Sequence, residues 1–164
     1  MEELDPRFPG GVWTGFYLQY WLPGRHRTDA VLAWSAGEVS GGGADHVGTY
    51  TMSGSYDVAT GSCEWTKQYL GKHAVQYRGL ADASGVWGVW EIRLLGGLYH
   101  DRGGFHLWPE GRGVSEAELA RTEAAVQELM HAEFGGRTAR AVRAVFAVGV
   151  VVALAALAAW WAGY

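Results

Sequence analysis

The chain has 164 residues and a formal net charge of −4, with 13 Lys and Arg against 17 Asp and Glu. The absence of a basic surplus argues against nucleic-acid binding through phosphate neutralisation. A single cysteine, Cys63, excludes an internal disulfide framework and suits a reducing compartment. The acidic start of the chain lacks an apolar core, so we expect no amino-terminal signal peptide.

Residues 1–10 show no periodicity and are predicted to form a loose lead-in. From residue 11 to residue 109, short runs rich in Val, Tyr, Trp and Thr alternate with Gly, Asp and Ser clusters, which predicts an antiparallel β domain. The predicted strands are 12–21, 26–34, 38–42, 48–56, 63–70, 73–79, 86–94 and 104–108. About eight strands joined by tight turns form a meander, which closes into a barrel or, as the alternative, folds into a β-sandwich.

Glycine and an aromatic residue recur two positions apart within these strands. The pairs are Gly11 and Trp13, Gly15 and Tyr17, Gly48 and Tyr50, Gly54 and Tyr56, Gly85 and Trp87, and Gly88 and Trp90. Strand-interior glycine weakens a sheet unless the sheet bends sharply or another group approaches closely. Small barrels require both features, so this pattern favours the barrel over the sandwich.

The sequence Gly11-Val-Trp13 on the first strand, followed by a meander of about eight strands, resembles the start of the lipocalins. More broadly, the architecture of residues 11–108 is similar to the calycin barrels, which include the avidins. The resemblance implies a closed barrel with one open mouth, in which Trp13 plugs the closed end.

The aromatic content is high, with nine Trp, eight Tyr and five Phe. Strand parity places one set of rings toward the barrel interior, opposite charged residues such as Glu91 and Arg93. The predicted ligand-binding residues are Trp13, Tyr17, Trp65, Tyr69, Tyr77 and Trp90. These rings form either a pocket for a flat or apolar ligand or a solid core, since eight-stranded barrels are only just wide enough to hold side chains. A cavity above about 300 Å³ would favour the pocket.

The polar residues give no pattern of a catalytic or metal site. The six histidines have no spacing that places two ligands on one helix face, and no nucleophile elbow is present. We therefore predict no catalytic residues, no metal and no cofactor, and expect a binding protein rather than an enzyme.

Residues 110–136 are predicted to form a linker and a stalk helix. Ser115 and Glu118 form a capping-box pattern that begins a helix, and Gly135-Gly136 ends it. The incomplete apolar stripe of this helix allows packing against the barrel or weak self-association.

Residues 137–143 form a basic juxtamembrane segment with three arginines, and residues 144–164 carry no charge. At 1.5 Å of rise per residue, this run spans about 30 Å, the thickness of the hydrocarbon core, and it predicts a single transmembrane helix. The arginines on its amino-terminal side predict a tail-anchored, single-pass protein whose amino-terminal domain is cytoplasmic. Small residues from Gly149 to Ala159 lie at spacings that permit a homodimer through the anchor, although Ala-rich runs also show such spacings without association.

These features predict a membrane-tethered β-barrel on the cytoplasmic face that binds or senses a small apolar or aromatic ligand. The alternative is a protein-interaction or assembly adaptor, in which the barrel is solid and its outer surface binds a protein partner. A third and less favoured hypothesis is an enzyme that uses the mouth of the barrel.

Overall fold

The computed structural model describes residues 3–135. Within that range, eight β-strands are followed by one α-helix. The strands are β1 (Gly11–Gln19), β2 (His26–Ser35), β3 (Glu38–Ala44), β4 (Thr49–Tyr56), β5 (Ser62–Tyr69), β6 (Ala74–Asp82), β7 (Gly85–Leu94) and β8 (Tyr99–Pro109), and the helix is α1 (Glu116–Met130). A short 3₁₀ turn, Leu95–Gly97, joins β7 to β8, and a π-helical turn occupies His131–Gly135.

The strands form a closed barrel in which every strand pairs antiparallel with its neighbour in the chain. The barrel closes through β1 and β8, with Gly15 opposite Leu107 and Tyr17 opposite Phe105. The predicted antiparallel barrel is therefore confirmed, and the β-sandwich alternative is wrong. Closure satisfies the backbone groups that open sheet edges would leave unpaired.

Strand-interior glycines allow the sheet to curve this tightly. A Cβ atom at Gly54 would lie 2.0 Å from the carbonyl oxygen of Glu64 and 2.5 Å from the Cα atom of Trp65. Such distances are sterically impossible, so only glycine lets β4 and β5 approach each other at this point. The pairing of glycine with a neighbouring ring thus reflects local curvature.

One end of the barrel is closed by aromatic side chains. Phe8 is fully buried, and its ring centroid lies 5.0 Å from that of Trp34 and 4.6 Å from that of Tyr56. Trp13 is also fully buried, and its indole N–H donates to the carbonyl oxygen of Pro9 at 3.0 Å. The prediction that residues 1–10 are a loose lead-in is therefore wrong for residues 3–10, because burial of Phe8 draws this segment across the closed end.

The last strand is longer than predicted. It begins at Tyr99 and not at residue 104, because the turn after β7 needs only residues 95–98. Gly103 lies within β8, and a Cβ atom there would lie 2.7 Å from the ring of Trp90. Glycines in this stretch resemble a loop in sequence, but they are strand residues that make room for a ring.

Helix α1 packs against the outer face of β7 and β8. The backbone N–H of Glu118 donates to Ser115 Oγ at 3.2 Å, which caps the helix as predicted. Its buried side chains are Thr122, Val126 and Met130. Of the two arrangements predicted for this helix, packing against the barrel is observed for Glu116–Met130, so this part is not a free-standing stalk. Self-association stays a prediction.

Between residues 3 and 135, no helix is both long enough and apolar enough to cross a bilayer. The predicted juxtamembrane segment, 137–143, and the predicted transmembrane helix, 144–164, lie outside the described residues. Gly136, at the predicted end of the stalk helix, does so as well.

Candidate functional site: the open mouth of the barrel

A cavity of about 190 Å³ lies at the barrel end opposite the Phe8 plug. The loops around this end are residues 20–25, 45–48, 70–73 and 95–98. Both aromatic and polar side chains line the cavity: Tyr17, Gln19, Asp45, His46, Val47, Lys67, Tyr69, His73, Val75, Tyr77, Trp90, Ile92 and Asp101. Its volume is below the threshold of about 300 Å³ set above for a ligand pocket of typical size, so only a ligand smaller than usual would fit.

The aromatic wall of the cavity is held rigidly. The indole N–H of Trp90 donates to the carbonyl oxygens of Leu18 and Gly104, each at 3.1 Å. Because its only polar atom is already bonded, Trp90 offers the cavity an apolar ring. Tyr77 stacks on Trp65 with centroids 5.4 Å apart and planes inclined by 11°. These contacts fix the rings in place before any ligand arrives.

A buried charge pair forms the polar part of the wall. The ammonium group of Lys67 donates to Asp45 Oδ2 at 2.8 Å and lies 3.8 Å from the centroid of the Tyr50 ring. The hydroxyl of Tyr69 donates to the same carboxylate oxygen at 2.7 Å. Lys67 is only 4% exposed. A cation this deep requires such partners, because its removal from water is costly.

Burial and hydrogen bonding set the charge states of this group. Burial lowers the pKa of Lys67, and the neighbouring Asp45 only partly offsets that effect. Burial acts to raise the pKa of Asp45, but hydrogen bonds from Lys67 and Tyr69 outweigh it, so the pKa of Asp45 lies below its usual value. Burial, reinforced by the hydrogen bond to Asp45, raises the pKa of Tyr69. At neutral pH the carboxylate is therefore ionised and the phenol is neutral.

Two tyrosine hydroxyls in the cavity wall are free to bond a ligand. Within residues 3–135, the hydroxyls of Tyr17 and Tyr77 have no hydrogen-bond partner, although both side chains line the cavity. Burial raises the pKa of each. Both phenols therefore stay protonated and present a donor as well as an acceptor.

Four of the six predicted ligand-binding residues line the cavity, namely Tyr17, Tyr69, Tyr77 and Trp90. Trp65 lies behind Tyr77 and does not line it, and Trp13 lies at the closed end, as the calycin resemblance implies. Rings of Phe8, Trp34, Trp65 and Tyr77 follow one another in contact. In the described residues, the interior of the closed half is thus filled by aromatic rings, and the cavity of about 190 Å³ lies at the mouth.

Sequence reasoning missed Lys67 and Asp45. Lys67 has the strand parity of Trp65 and Tyr69, which was the available signal that its side chain points inward. Asp45 lies in the loop after β3, where sequence periodicity says nothing about direction. On β6, by contrast, parity alone predicts that Gln76 and Arg78 point outward from the Tyr77 face, and both are exposed.

In the described part of the chain, no three His, Cys, Asp or Glu side chains come together in a group that could hold a metal ion. Cys63 is buried, and burial raises its pKa to about 12. No protein-family model, curated protein or solved structure matches this chain.

Proposed function

We propose that this protein is a membrane-tethered, cytoplasmic-face binding module that takes a small, neutral aromatic molecule into the mouth of its barrel. The observation that carries the proposal is the cavity of about 190 Å³ between fixed rings and two unpartnered tyrosine hydroxyls. A closed eight-stranded antiparallel meander with one plugged end also supports the resemblance to calycin barrels.

The volume of the cavity limits the size of the ligand. An apolar cavity of about 150 Å³ in another protein holds benzene. A cavity of about 190 Å³ therefore suits one ring or two fused rings, about ten heavy atoms, and excludes lipids or larger cofactors.

The charges in the wall disfavour an anionic ligand. Lys67 and Asp45 already neutralise each other at 2.8 Å, so an anion would enter a low-dielectric site without a free counterion, and the carboxylate of Asp101 also lines the cavity. The hydroxyls of Tyr17 and Tyr77 favour a ligand with a hydrogen-bond acceptor. A flat heterocycle or aromatic carbonyl compound combines these properties.

Quinoline and naphthalene test the proposal, because they have nearly the same shape and only quinoline has an acceptor nitrogen. The full-length protein in lipid nanodiscs is heated with each probe. At about 100 times its dissociation constant, a ligand adds about 2.7 kcal/mol, which raises the melting temperature by roughly 8 °C. We expect quinoline to stabilise the protein more than naphthalene does.

Tyr77→Phe should reduce the effect of quinoline and leave that of naphthalene unchanged, because the ring stays and only the hydroxyl is lost. Tyr56→Phe is the matched control, since the Tyr56 hydroxyl bonds Glu3 at the closed end. All variants are measured in nanodiscs of the same lipid. The fraction of each probe that dissolves in the lipid is therefore the same for every variant and does not affect the comparison. A folded protein that neither probe stabilises would refute ligand binding at this cavity.

The outer face of the barrel supports an adaptor function as the second candidate. Glu91 on β7 pairs with Arg78 at 3.0 Å, Arg93 at 2.8 Å and His100 at 3.1 Å, which forms a charged ladder across β6, β7 and β8. A shallow groove of about 300 Å³ lies beside it and includes Glu64 and Gln76. A protein partner that is lost on Glu91→Lys, together with no response to either probe, would favour this alternative.

The membrane tether has its own test. Because residues 144–164 are uncharged and three arginines precede them, we expect the full chain to stay in the membrane fraction through carbonate washing. Protease added outside intact cells should leave the barrel uncut. Release of the intact chain by carbonate, or digestion of the barrel from outside, would contradict the proposed topology.

A further inference from the structure

The loops around the mouth expose large apolar side chains. The β1–β2 loop carries Trp21 and Leu22, and the β5–β6 turn carries Leu70. The β7–β8 connection carries Leu95 and Leu98, and Tyr99 follows as the first residue of β8. Leu95 is 78% exposed and Leu98 is 90% exposed. We call these six residues the mouth rim. Apolar residues gathered around one opening mark a contact with another apolar phase rather than with water.

The turns at the opposite end of the barrel carry fewer exposed apolar side chains in the described chain. They are residues 36–37, 57–61 and 83–84, in which Val58 is the single exposed large apolar side chain. Leu4, in the segment that crosses this end, is also exposed. Five of the six residues of the mouth rim lie in the loops and turns of the mouth, so the larger apolar exposure lies there.

Part of the mouth rim is held in an ordered position. The ring of Trp21 packs edge-on against that of Tyr20 with centroids 4.8 Å apart. The guanidinium of Arg102, on β8, lies 5.2 Å from the Trp21 centroid and 4.8 Å from that of Tyr20. These contacts hold an exposed Trp beside the mouth, and Trp is enriched where proteins meet the membrane–water interface.

Helix α1 carries the chain toward this same end. Near its start, Glu118 pairs with Arg112 at 2.6 Å and shares a groove with Ser84 of the closed-end β6–β7 turn. Further along, Glu123 pairs with Arg25 of the mouth loop at 3.2 Å. The helix thus runs from the closed end toward the mouth and ends at Met130.

Thirteen residues separate Met130 from the uncharged run that begins at Ala144. Fully extended, thirteen residues span at most about 45 Å. A bilayer-spanning segment at 144–164 would therefore keep Met130 within about 45 Å of the membrane surface, which permits the mouth rim to contact lipid.

We propose that the open mouth of the barrel docks on the bilayer surface, with the mouth rim inserted at the boundary between headgroups and acyl chains. This inference rests on the membrane tether of the proposed function. Side chains at that boundary enter to a depth of about 5–10 Å. The cavity then opens toward lipid, so an apolar ligand dissolved in the bilayer reaches it without crossing bulk water.

Site-directed fluorescence on the full-length chain in liposomes tests this orientation. Leu98→Cys and Val58→Cys place one thiol at the mouth rim and one at the opposite end, in a Cys63→Ala background. Each thiol is labelled with an environment-sensitive dye. Both positions are exposed turns, so neither label disturbs packing, and circular dichroism confirms that each variant is folded.

We expect the dye at position 98 to shift to the blue and to be quenched by lipids that carry a quencher on the upper acyl chain. The dye at position 58 should respond only to quencher in the water. Equal aqueous quenching at both positions, with the protein still floating with the liposomes, would overturn the docking while leaving the tether intact.

Two other results would also overturn the docking, and each points to a different cause. A blue shift at position 98 without quenching by lipid would mean that protein, such as a second copy, covers the mouth rim. Failure of the protein to float with the liposomes would refute the tether on which the docking depends.

Discussion

Substitutions in the Lys67–Asp45 pair of the cavity wall test how much this buried ion pair contributes to the free energy of unfolding. Lys67→Met removes a buried cation and leaves Asp45 with two donors, the Tyr69 hydroxyl at 2.7 Å and the Val47 N–H at 2.9 Å. The side chain of Asp45 is 25% exposed. Removing one partner of a fully buried pair costs about 3–5 kcal/mol. Because Asp45 keeps two donors and some water, we expect a smaller loss, about 2 kcal/mol.

Removing the acidic partner instead should lower the free energy of unfolding by more at neutral pH. Asp45→Asn leaves Lys67 without a counterion at 4% exposure. The lysine then stays charged or gives up its proton, and deprotonation at pH 7 costs about 4.6 kcal/mol from an ordinary pKa of about 10.4. This value is an upper limit for the loss. At pH 9 the limit falls to about 2 kcal/mol, so the destabilisation by Asp45→Asn should shrink as pH rises.

The double variant, Lys67→Met with Asp45→Asn, should recover most of the lost free energy of unfolding, because removing both charges leaves no unpaired ion. We expect it to lie within about 1 kcal/mol of the natural protein. Urea unfolding of the full chain in lipid nanodiscs, followed by tryptophan fluorescence at pH 7 and pH 9, measures all four proteins. Additive losses in the double variant, or a pH-independent cost of Asp45→Asn, would refute this account of the pair.

Three further outcomes follow from packing and burial. Gly104→Ala should lower the free energy of unfolding by about 1–3 kcal/mol, because its Cβ would lie 2.1 Å from Val126 on α1. Adding Val126→Ala should recover part of this loss in the same urea assay. If the two losses simply add, the steric clash is not their cause. His106 is fully buried, and burial lowers its pKa below the usual value. As pH falls, the unfolded chain therefore protonates this histidine before the folded protein does. The free energy of unfolding should then decrease below about pH 6.5, by at most about 1.4 kcal/mol per pH unit. His106→Gln should flatten that slope, and an unchanged slope would assign it to other groups. Phe8→Ala should cost about 3–5 kcal/mol by opening a cavity at the closed end, yet leave the response to quinoline intact in the folded protein; loss of that response would mean that the two ends are coupled.

Much of the fold was predictable because it depends on local patterns. Alternation along each strand predicted the inward and outward faces of β6 and β7, and turn residues placed the strand limits of most of the barrel within about two residues. The largest error in a strand limit, at the start of β8, arose because glycine is common both in loops and in closely packed strands. Gly103 is typical of a loop by composition, but it is required inside β8 to accept the ring of Trp90.

The residues of the site also fall into those that the sequence predicted and those that only the structure revealed. The sequence by itself determined the composition of the interior, since parity alone directs Tyr17, Tyr69, Tyr77 and Trp90 inward. Only the tertiary structure decided which of these rings face empty space, because that depends on packing between residues far apart in the chain. Burial of Phe8 closes one end of the barrel, and the pairing of Asp45 with Lys67 across 22 positions stabilises a cation at the other. Such long-range contacts leave no periodic trace in the sequence, and they determine where the barrel is solid and where it is open.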